Sequence, residues 1–281
     1  MGDFSIGDVV QRTGVAEGTL RMWERRHGFP SPARLASGHR RYSEHDLEAV
    51  RRIVDERAAG TTLSVAIERA RRPAAPARSL FAWLRRAHPE LDPHVLFKPA
   101  MLALSHAIED ESLARAERPV LFASFQRERY YRSQQTRWQE LARGAQIACV
   151  FADFKRTRTP RNGPAEIQIA AASPFMREWT IVCDAPSYSV CLAGWEKPQS
   201  ARHGEHSKAF ETVWSVEPEI VRGAARVCSA MVAAQLREPL DEAHERLQAP
   251  PAQLTGQQLT FAAAIANRAF SYLPGPGLGG G

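Results

Sequence analysis

The sequence predicts an α+β chain with an all-helical head built on a helix-turn-helix and a mixed α/β domain behind it. Three observations carry this. Up to residue 71, apolar residues recur only at helical spacing, punctuated by capping residues and glycines. A Pro- and Ala-rich break, RRPAAPAR at 71–78, then interrupts the periodicity. Beyond it, two continuous apolar runs, PVLFASF at 119–125 and QIACVFA at 146–152, flank a helical stretch, the pattern of a parallel strand–helix–strand crossover.

Taken in order, Ser5 with Asp8 reads as a capping box starting a helix near Ile6, and Gly14 ends it. A second helix is predicted from about Glu17 to Arg26, stopped by Gly28 and Pro30. Ser43 with Asp46 caps a third, whose apolar face is Leu47, Val50 and Val54 with Ile53 flanking, and Gly60 closes it. A short fourth helix carries Leu63, Ala66, Ile67 and Ala70 on one side. After the break, Ser79 opens a helix with Leu80, Trp83, Leu84 and Ala87 on one face, and Phe97, Met101, Leu104 and Ile108 form the apolar side of the next. The strand runs bracket a helix at about 132–143; EIQIAA at 166–171 reads as another strand. WTIVCDAPSYSVCLAGW at 179–195 predicts two strands around an Asp-Ala-Pro-Ser turn. Pro218 suits the first turn of a long helix reaching about Leu236. QAPPAQ at 248–253 is a second break, LTFAAAIANRAFSYL at 259–273 is amphipathic enough for a helix docking on its own domain or on a second subunit, and PGPGLGGG is expected to be disordered. The resulting division is 1–72, a linker at 73–78, a domain at 79–248 and a C-terminal helix with its tail at 249–281.

Length and composition bound the function. The chain has 281 residues, 44% hydrophobic, enough for about two domains with their own cores. A formal net charge of +6 favours a polyanionic partner, though weakly. Cys149, Cys183, Cys191 and Cys228 form no C-x-x-C pair and have small or apolar neighbours, so buried reduced thiols are expected. No stretch approaches the roughly 18 apolar residues of a membrane span, which makes a cytoplasmic protein the expectation.

The stretch TLRMWERRHGFPSPARLASGHRRYS, residues 19–43, concentrates the chemistry. The helices on either side of Gly14 have helix-turn-helix spacing, and SGHRRYS follows a Pro-broken segment as a hairpin wing follows a recognition helix. Two such basic elements could embrace neighbouring grooves and fix register through phosphates and sugars. FSIGDVVQRTGVAEGTLRMWERRHGFPSPARLASGHRRYSEHDLEAVRRI resembles the N-terminal winged helix-turn-helix of MerR-type transcription regulators. The resemblance implies a homodimer binding a pseudo-palindromic promoter element, distorting the DNA between promoter hexamers and acting on RNA polymerase. Carried over by position, it implies DNA contacts from Thr19, Arg21 and Trp23 on the recognition helix and from Arg40, Arg41 and Tyr42 on the wing, with Arg25 and Arg34 as further candidates. For Trp23, partial core packing is an equally open reading. Two departures stand out: Met22 where many relatives have Tyr, and Ala16 where Ser or Thr usually caps the recognition helix. The two Pro at 71–78 break the long dimerisation helix of small family members, so a dimer is expected to form through the second domain or the C-terminal helices.

In the second domain, LALSHAIEDE, FQRERYYR, VFADF and REWTIVCDAPSYSVCLAGWE resemble the DICT sensory domain, which implies sensing without naming a signal. Ligands of open α/β sheets sit beyond the carboxyl ends of parallel strands. Gln126, Arg127, Arg129, Tyr130 and Tyr131 follow the first strand run and Asp153 the second; if the strands are neighbours these residues converge to hold a flat anionic small molecule. The alternative is an internal network in which Glu109, Asp110 and Glu111 neutralise the arginines. Trp179 and Trp195 read as core rather than stacking platforms. DPHVLF at 92–97 nearly matches the D-x-H-x-x-G signature of cobalamin-binding sensors, but Phe97 replaces the Gly, which argues against ligation by His94. HGEH at 203–206 has a helical metal spacing in a Gly- and Lys-containing loop, and no metal or cofactor is expected. No P-loop, G-x-G-x-x-G or nucleophile elbow is present, so the expected function is transcription regulation, not catalysis. The competing readings are a second domain that binds another protein, or an enzyme behind a DNA-binding head.

Overall fold

Reciprocal caps set the first helix: the Ser5 hydroxyl accepts the Asp8 N–H while the Asp8 carboxylate accepts the Ser5 N–H at 2.7 Å. The computed structural model describes residues 4–35, 37–58, 60–71, 79–115, 117–197, 208–236, 238–251, 253 and 256–273; the side chains of residues 44, 45, 48, 55, 69, 71, 238, 239, 241 and 242 are also left aside. The linker expected at 73–78, HGEH at 203–206 and the C-terminal tail from residue 274 lie outside the described residues. The chain forms two compact units, Met1–Ala75 and Pro76–Gly281.

The first unit holds α1 (Ile6–Thr13), α2 (Glu17–His27), strands β1 (Ala33–Arg34) and β2 (Arg40–Arg41), α3 (Glu44–Ala58) and α4 (Leu63–Arg71). Gly14 and Gly28 close α1 and α2 in the left-handed conformation that favours glycine. Strands β1 and β2 pair antiparallel around Gly38, also left-handed at φ 79°. Val9, Leu20, Trp23, Phe29, Tyr42, Leu47, Val50 and Ile53 make the core with Ala66, Ile67 and Ala70. One face is corrected: Ile53 is fully buried and Val54 only half-buried, because Leu47, Val50 and Ile53 keep a three-residue step.

The second unit is a three-layer sandwich. Its elements are α5 (Leu80–Ala87), β3 (His94–Phe97), α6 (Lys98–Leu113), β4 (Val120–Ser124), α7 (Glu128–Ser133), α8 (Gln135–Gly144), β5 (Ile147–Ala152), β6 (Ala165–Gln168), β7 (Glu178–Asp184), β8 (Ser189–Glu196), β9 (Ala209–Ser215), α9 (Pro218–Ala233), α10 (Glu238–Gln248) and α11 (Gly256–Tyr272). The sheet runs β3-β9-β8-β7-β4-β5-β6, with β4, β5 and β6 mutually parallel and the other pairs antiparallel. Val120 and Phe122 face a core shared with α5, α9 and α10, whereas Leu121 and Ala123 face one shared with α6, α8 and α11. Burial on both faces explains why these strands are continuously apolar.

The predicted elements mostly stand, with instructive shifts. The helix expected at 132–143 is two pieces, α7 and α8, broken at Gln134. Phe97 is not on a helix face: it ends the edge strand β3, 58% exposed, and Pro99 in the first turn makes α6 begin at Lys98. Helix α9 stops at Ala233, short of Leu236. Helix α11 docks on its own unit, with Phe261 and Ile265 fully buried in the α6 side of the core. Strands β3 and β9 and helix α10 lacked a distinct signal in the sequence reading. Gly223 is required in α9, since a Cβ there would lie 2.5 Å from the Trp83 ring of α5.

Candidate functional site

In the first unit, burial of Leu20 and Trp23 turns the opposite face of α2 outward, so Arg21, Arg25 and Arg26 are exposed and Thr19 is half-buried. Arg40 and Arg41 of β2 are half-buried, Arg40 beside this helix and Arg41 within electrostatic reach of Asp8 on α1, and Arg34 of β1 is exposed. The hairpin is tied to α2 by Glu24, which accepts from Arg40 Nε at 2.6 Å and from Arg34 Nη2 at 2.9 Å. The Arg40 guanidinium holds the Glu24 carboxyl below its ordinary range, so the clamp is ionised at neutral pH. Arg21 pairs with Glu17 one turn earlier. Two of the expected contact residues are buried, for Trp23 in line with its core-packing alternative. Trp23 and Tyr42 are 5% and 1% exposed, packed in the core, and the Tyr42 backbone bridges to Phe4. Their side chains support the helix and hairpin from beneath, packed in one core with Leu20, Phe29, Leu47 and Ile53.

In the second unit, the carboxyl end of β4 opens onto two adjoining recesses. Parallel pairing of β4 with β5 brings residues 125–131 next to Asp153. The chain leaves β4 through Gln126 at φ 59°, a left-handed conformation uncommon for a non-glycine residue and typical of constrained sites. Gln126 donates to Glu196 at 3.1 Å. With Arg127, Arg129, Tyr130, Arg177 and Lys208 it borders a recess of about 300 Å³. Gln126, Tyr130 and Lys208 also border a second cavity of about 240 Å³, set between α6, α8 and the sheet. Its walls are Phe125, Trp138, Trp179, Phe210, Leu102 and Ile181, with Lys98, Ser105, His106 and Glu109 from α6.

Two residues expected at this edge are engaged otherwise. Tyr131 is 1% exposed and packs edge-on against Phe125 and Phe154, since its neighbour Tyr130 takes the outward direction of the short helix. Asp153 accepts the Glu128 N–H at 2.5 Å and pairs with Arg127 at 3.2 Å, fixing the start of α7. The expected neutralisation of Arg127 and Arg129 by Glu109, Asp110 and Glu111 is also corrected. Glu109 and Asp110 pair with Arg137, and Glu111 with Arg115 and Arg268. Trp179 is a cavity wall rather than plain core, its indole N–H donating to Ser105 Oγ at 2.9 Å. Trp195 lies half-buried under the Arg177 guanidinium.

Burial pushes the Glu109 carboxyl up to about 7 despite Arg137 beside it and a hydrogen bond from Trp138 Nε1. Burial, helped by Arg137, holds His106 below its ordinary value. The four cysteines are buried and free, and burial pushes Cys149, Cys183 and Cys191 up to about 12, so none offers a thiolate at neutral pH. Among the described residues no group of three His, Cys, Asp or Glu is placed to hold a metal ion. His94 lies exposed on the edge strand β3.

Residues 4–72, which contain the whole α2–hairpin assembly, match the family model described as MerR HTH family regulatory protein. The first unit carries a MerR-type helix-turn-helix head. Residues 78–197 match the DICT model, described as the sensory domain in diguanylate cyclases and two-component systems. Among curated proteins, the chain is similar to the HTH-type transcriptional repressor CarA of Myxococcus xanthus, 49% identical over 49 residues, 17% of either chain. It is also similar to the HTH-type transcriptional regulator MlrA of Escherichia coli and of Salmonella typhimurium, 36% identical over 53 residues, 19% of this chain and 22% of theirs. The chain thus matches less than a quarter of the length of these relatives. Among the described residues no helix is long and apolar enough to cross a membrane.

The DICT match ends at residue 197, yet the fold does not. Strand β9 sits inside the sheet between β8 and β3, and α9 and α11 each bury fully enclosed side chains against it. In the MerR-type head, the sequence reading missed Glu24; the signal was a lone carboxylate inside the run WERRH. In the DICT domain it missed the aromatic chamber, whose walls come from five separate stretches of chain.

Proposed function

We propose that this protein is a transcription regulator whose MerR-type head binds promoter DNA and whose DICT domain supplies control by a signal. The observation that carries the reading is the Glu24 clamp. It ties Arg34 and Arg40 of the hairpin to α2, which exposes Arg21, Arg25 and Arg26, and Arg41 follows Arg40 in the same hairpin, all within the segment that matches the MerR model. A helix and a hairpin side by side suit neighbouring grooves of a duplex, with the hairpin as the wing. In this reading a homodimer places two heads on a pseudo-palindromic element and distorts the DNA between them, so that RNA polymerase engages the promoter differently. Control by a small molecule is favoured over a protein-interaction role for the DICT domain, because the carboxyl end of β4 carries two concave, partly open recesses rather than a flat apolar face.

Footprinting with the full chain tests this. A short inverted repeat should be protected, with affinity falling steeply as salt rises. Arg21→Ala and Arg41→Ala should each weaken protection at least tenfold with an unchanged circular dichroism spectrum. Full affinity in both variants would remove the contact surface proposed here.

A further inference from the structure

The cavity of about 240 Å³ between α6, α8 and the sheet is walled by aromatic rings on its sheet and α7–α8 sides: Phe125, Tyr130, Trp138, Trp179 and Phe210. An apolar cavity of about 150 Å³ is enough for benzene, so this one accommodates about two fused rings. Its inner wall does not present a bare charge, because the Glu109 carboxylate is held by Arg137 and by Trp138 Nε1. Its mouth is cationic. Lys98 lies over the Tyr130 ring at 5.0 Å, and Lys208 stands 3.6 Å from Glu196. The adjoining recess adds Arg127, Arg129 and Arg177, against Glu196 in its lining and Asp153 paired with Arg127. The positive excess at this mouth favours a negatively charged head group and disfavours a cation.

We propose that the DICT domain binds a small bicyclic aromatic anion, its ring system in the chamber and its carboxylate or phosphate at Lys98 and Lys208. This deepens the signal-control reading above and rests on it only for its regulatory meaning; binding itself stands apart from DNA. It also moves the ligand body away from Tyr131 and Asp153, which are engaged in packing and in starting α7. Ring stacking on Trp138 and Trp179 supplies affinity and the lysines supply orientation.

The full chain titrated with 2-naphthoate, 2-naphthyl phosphate and the cation 2-naphthylmethylammonium tests this, by calorimetry and by quenching of tryptophan fluorescence. One or both anions should bind saturably at one site per chain, at least tenfold tighter than the cation. The tighter anion distinguishes a carboxylate ligand from a phosphorylated one. Leu102→Trp, which fills the chamber, should abolish binding. Lys208→Met, which keeps an apolar stem of similar length at the cavity mouth, should weaken the anions at least tenfold without weakening the cation, which keeps the test decisive if the first variant folds poorly. Equal binding of anions and cation, anion affinity unmoved by Lys208→Met, or no saturation up to millimolar concentration would each overturn the proposal. Anion binding that leaves the DNA footprint unchanged would instead overturn signal control while leaving the site intact.

Discussion

The two units use the same ion-pair chemistry at different depths. In the MerR-type head, Glu24 holds Arg40 and Arg34 with side chains 20%, 22% and 57% exposed. In the DICT domain, Asp184 of β7 holds Arg222 of α9 with both side chains under a tenth exposed, and Arg222 also donates to the Arg246 and Ala249 carbonyls at the end of α10. A surface pair gains little and exchanges partners easily, so the head's arginines are free to trade Glu24 for a phosphate. A buried pair cannot trade, because removing one partner strands a charge in the interior. The head therefore keeps its charge near the surface, and the second unit uses charge to lock β7, α9 and α10 together on the face of the sheet opposite the aromatic chamber.

The largest test of that contrast is Arg222→Ala. It leaves Asp184 buried and unpaired and removes two caps from α10, so unfolding free energy should fall by about 3–5 kcal/mol. Urea denaturation of the full chain, followed by tryptophan fluorescence, measures it. A loss below about 1 kcal/mol would put this pair in the same class as those of the head and erase the distinction.

Next in size is Glu178, fully buried at the start of β7, whose Oε2 accepts the Leu80 N–H at 3.0 Å and the Phe81 N–H at 3.2 Å and so caps α5. Burial pushes its carboxyl up from 4.5 to about 7. In the unfolded chain the group loses its proton near its ordinary value, while the folded chain keeps it until about pH 7. The unfolded state thus binds fewer protons in that window, and stability falls as pH rises through it. The loss is on the order of 3 kcal/mol. Glu178→Gln keeps an acceptor for both amides and should remove this fall, leaving the variant more stable than the parent at pH 8 and less favoured by acid. Denaturation midpoints at pH 5 and pH 8 decide it; an unchanged pH dependence would mean the carboxyl is already ionised in the fold.

What was legible in the sequence follows the same division. The caps at Ser5–Asp8 and Ser43–Asp46 are four-residue patterns and could be read directly, as could the closing Gly14 and Gly28. The basic stretch of the head was legible because its residues lie close in sequence. The direction of individual side chains was not: Trp23 and Tyr42 carry the chemistry of a contact, and only their packing against Leu20 and Leu47 in one core assigns them to support. In the DICT domain the strand runs announced a parallel pair, but the chamber brings Lys98 together with Trp179 and Phe210 through strand order and register. Edge strand β3 escaped notice because its Val95 and Phe97 are exposed and leave no buried face to read.

A smaller effect is expected from Glu24→Gln in the head. Loss of both guanidinium contacts should lower stability by about 1 kcal/mol or less, as for partly exposed pairs. DNA affinity should then depend more steeply on salt, since Arg34 and Arg40 are released and the net charge rises by one. Affinity measured at two salt concentrations, beside a denaturation curve, reads both. A loss of 3 kcal/mol or more would make Glu24 a structural charge like Asp184 and break the contrast from the other side.

The smallest change concerns the start of α2, where Ala16 sits in the extended N-cap conformation, φ −60° and ψ 145°, with no side-chain cap. Ser in this conformation has an oxygen for the Thr19 N–H, and such a cap stabilises by about 0.5–2 kcal/mol. Thr19 N–H already reaches the Ala16 carbonyl at 2.9 Å, so the gain from Ala16→Ser should fall at the low end. Ala16 is exposed, and the serine displaces nothing in the core. The variant should unfold a few degrees later in a thermal melt of the head's helical signal, with the footprint kept. A melt that moves downward would mean that the uncapped turn is already satisfied by its backbone bonds, and that the head's helices are tuned by the same local geometry that made them legible.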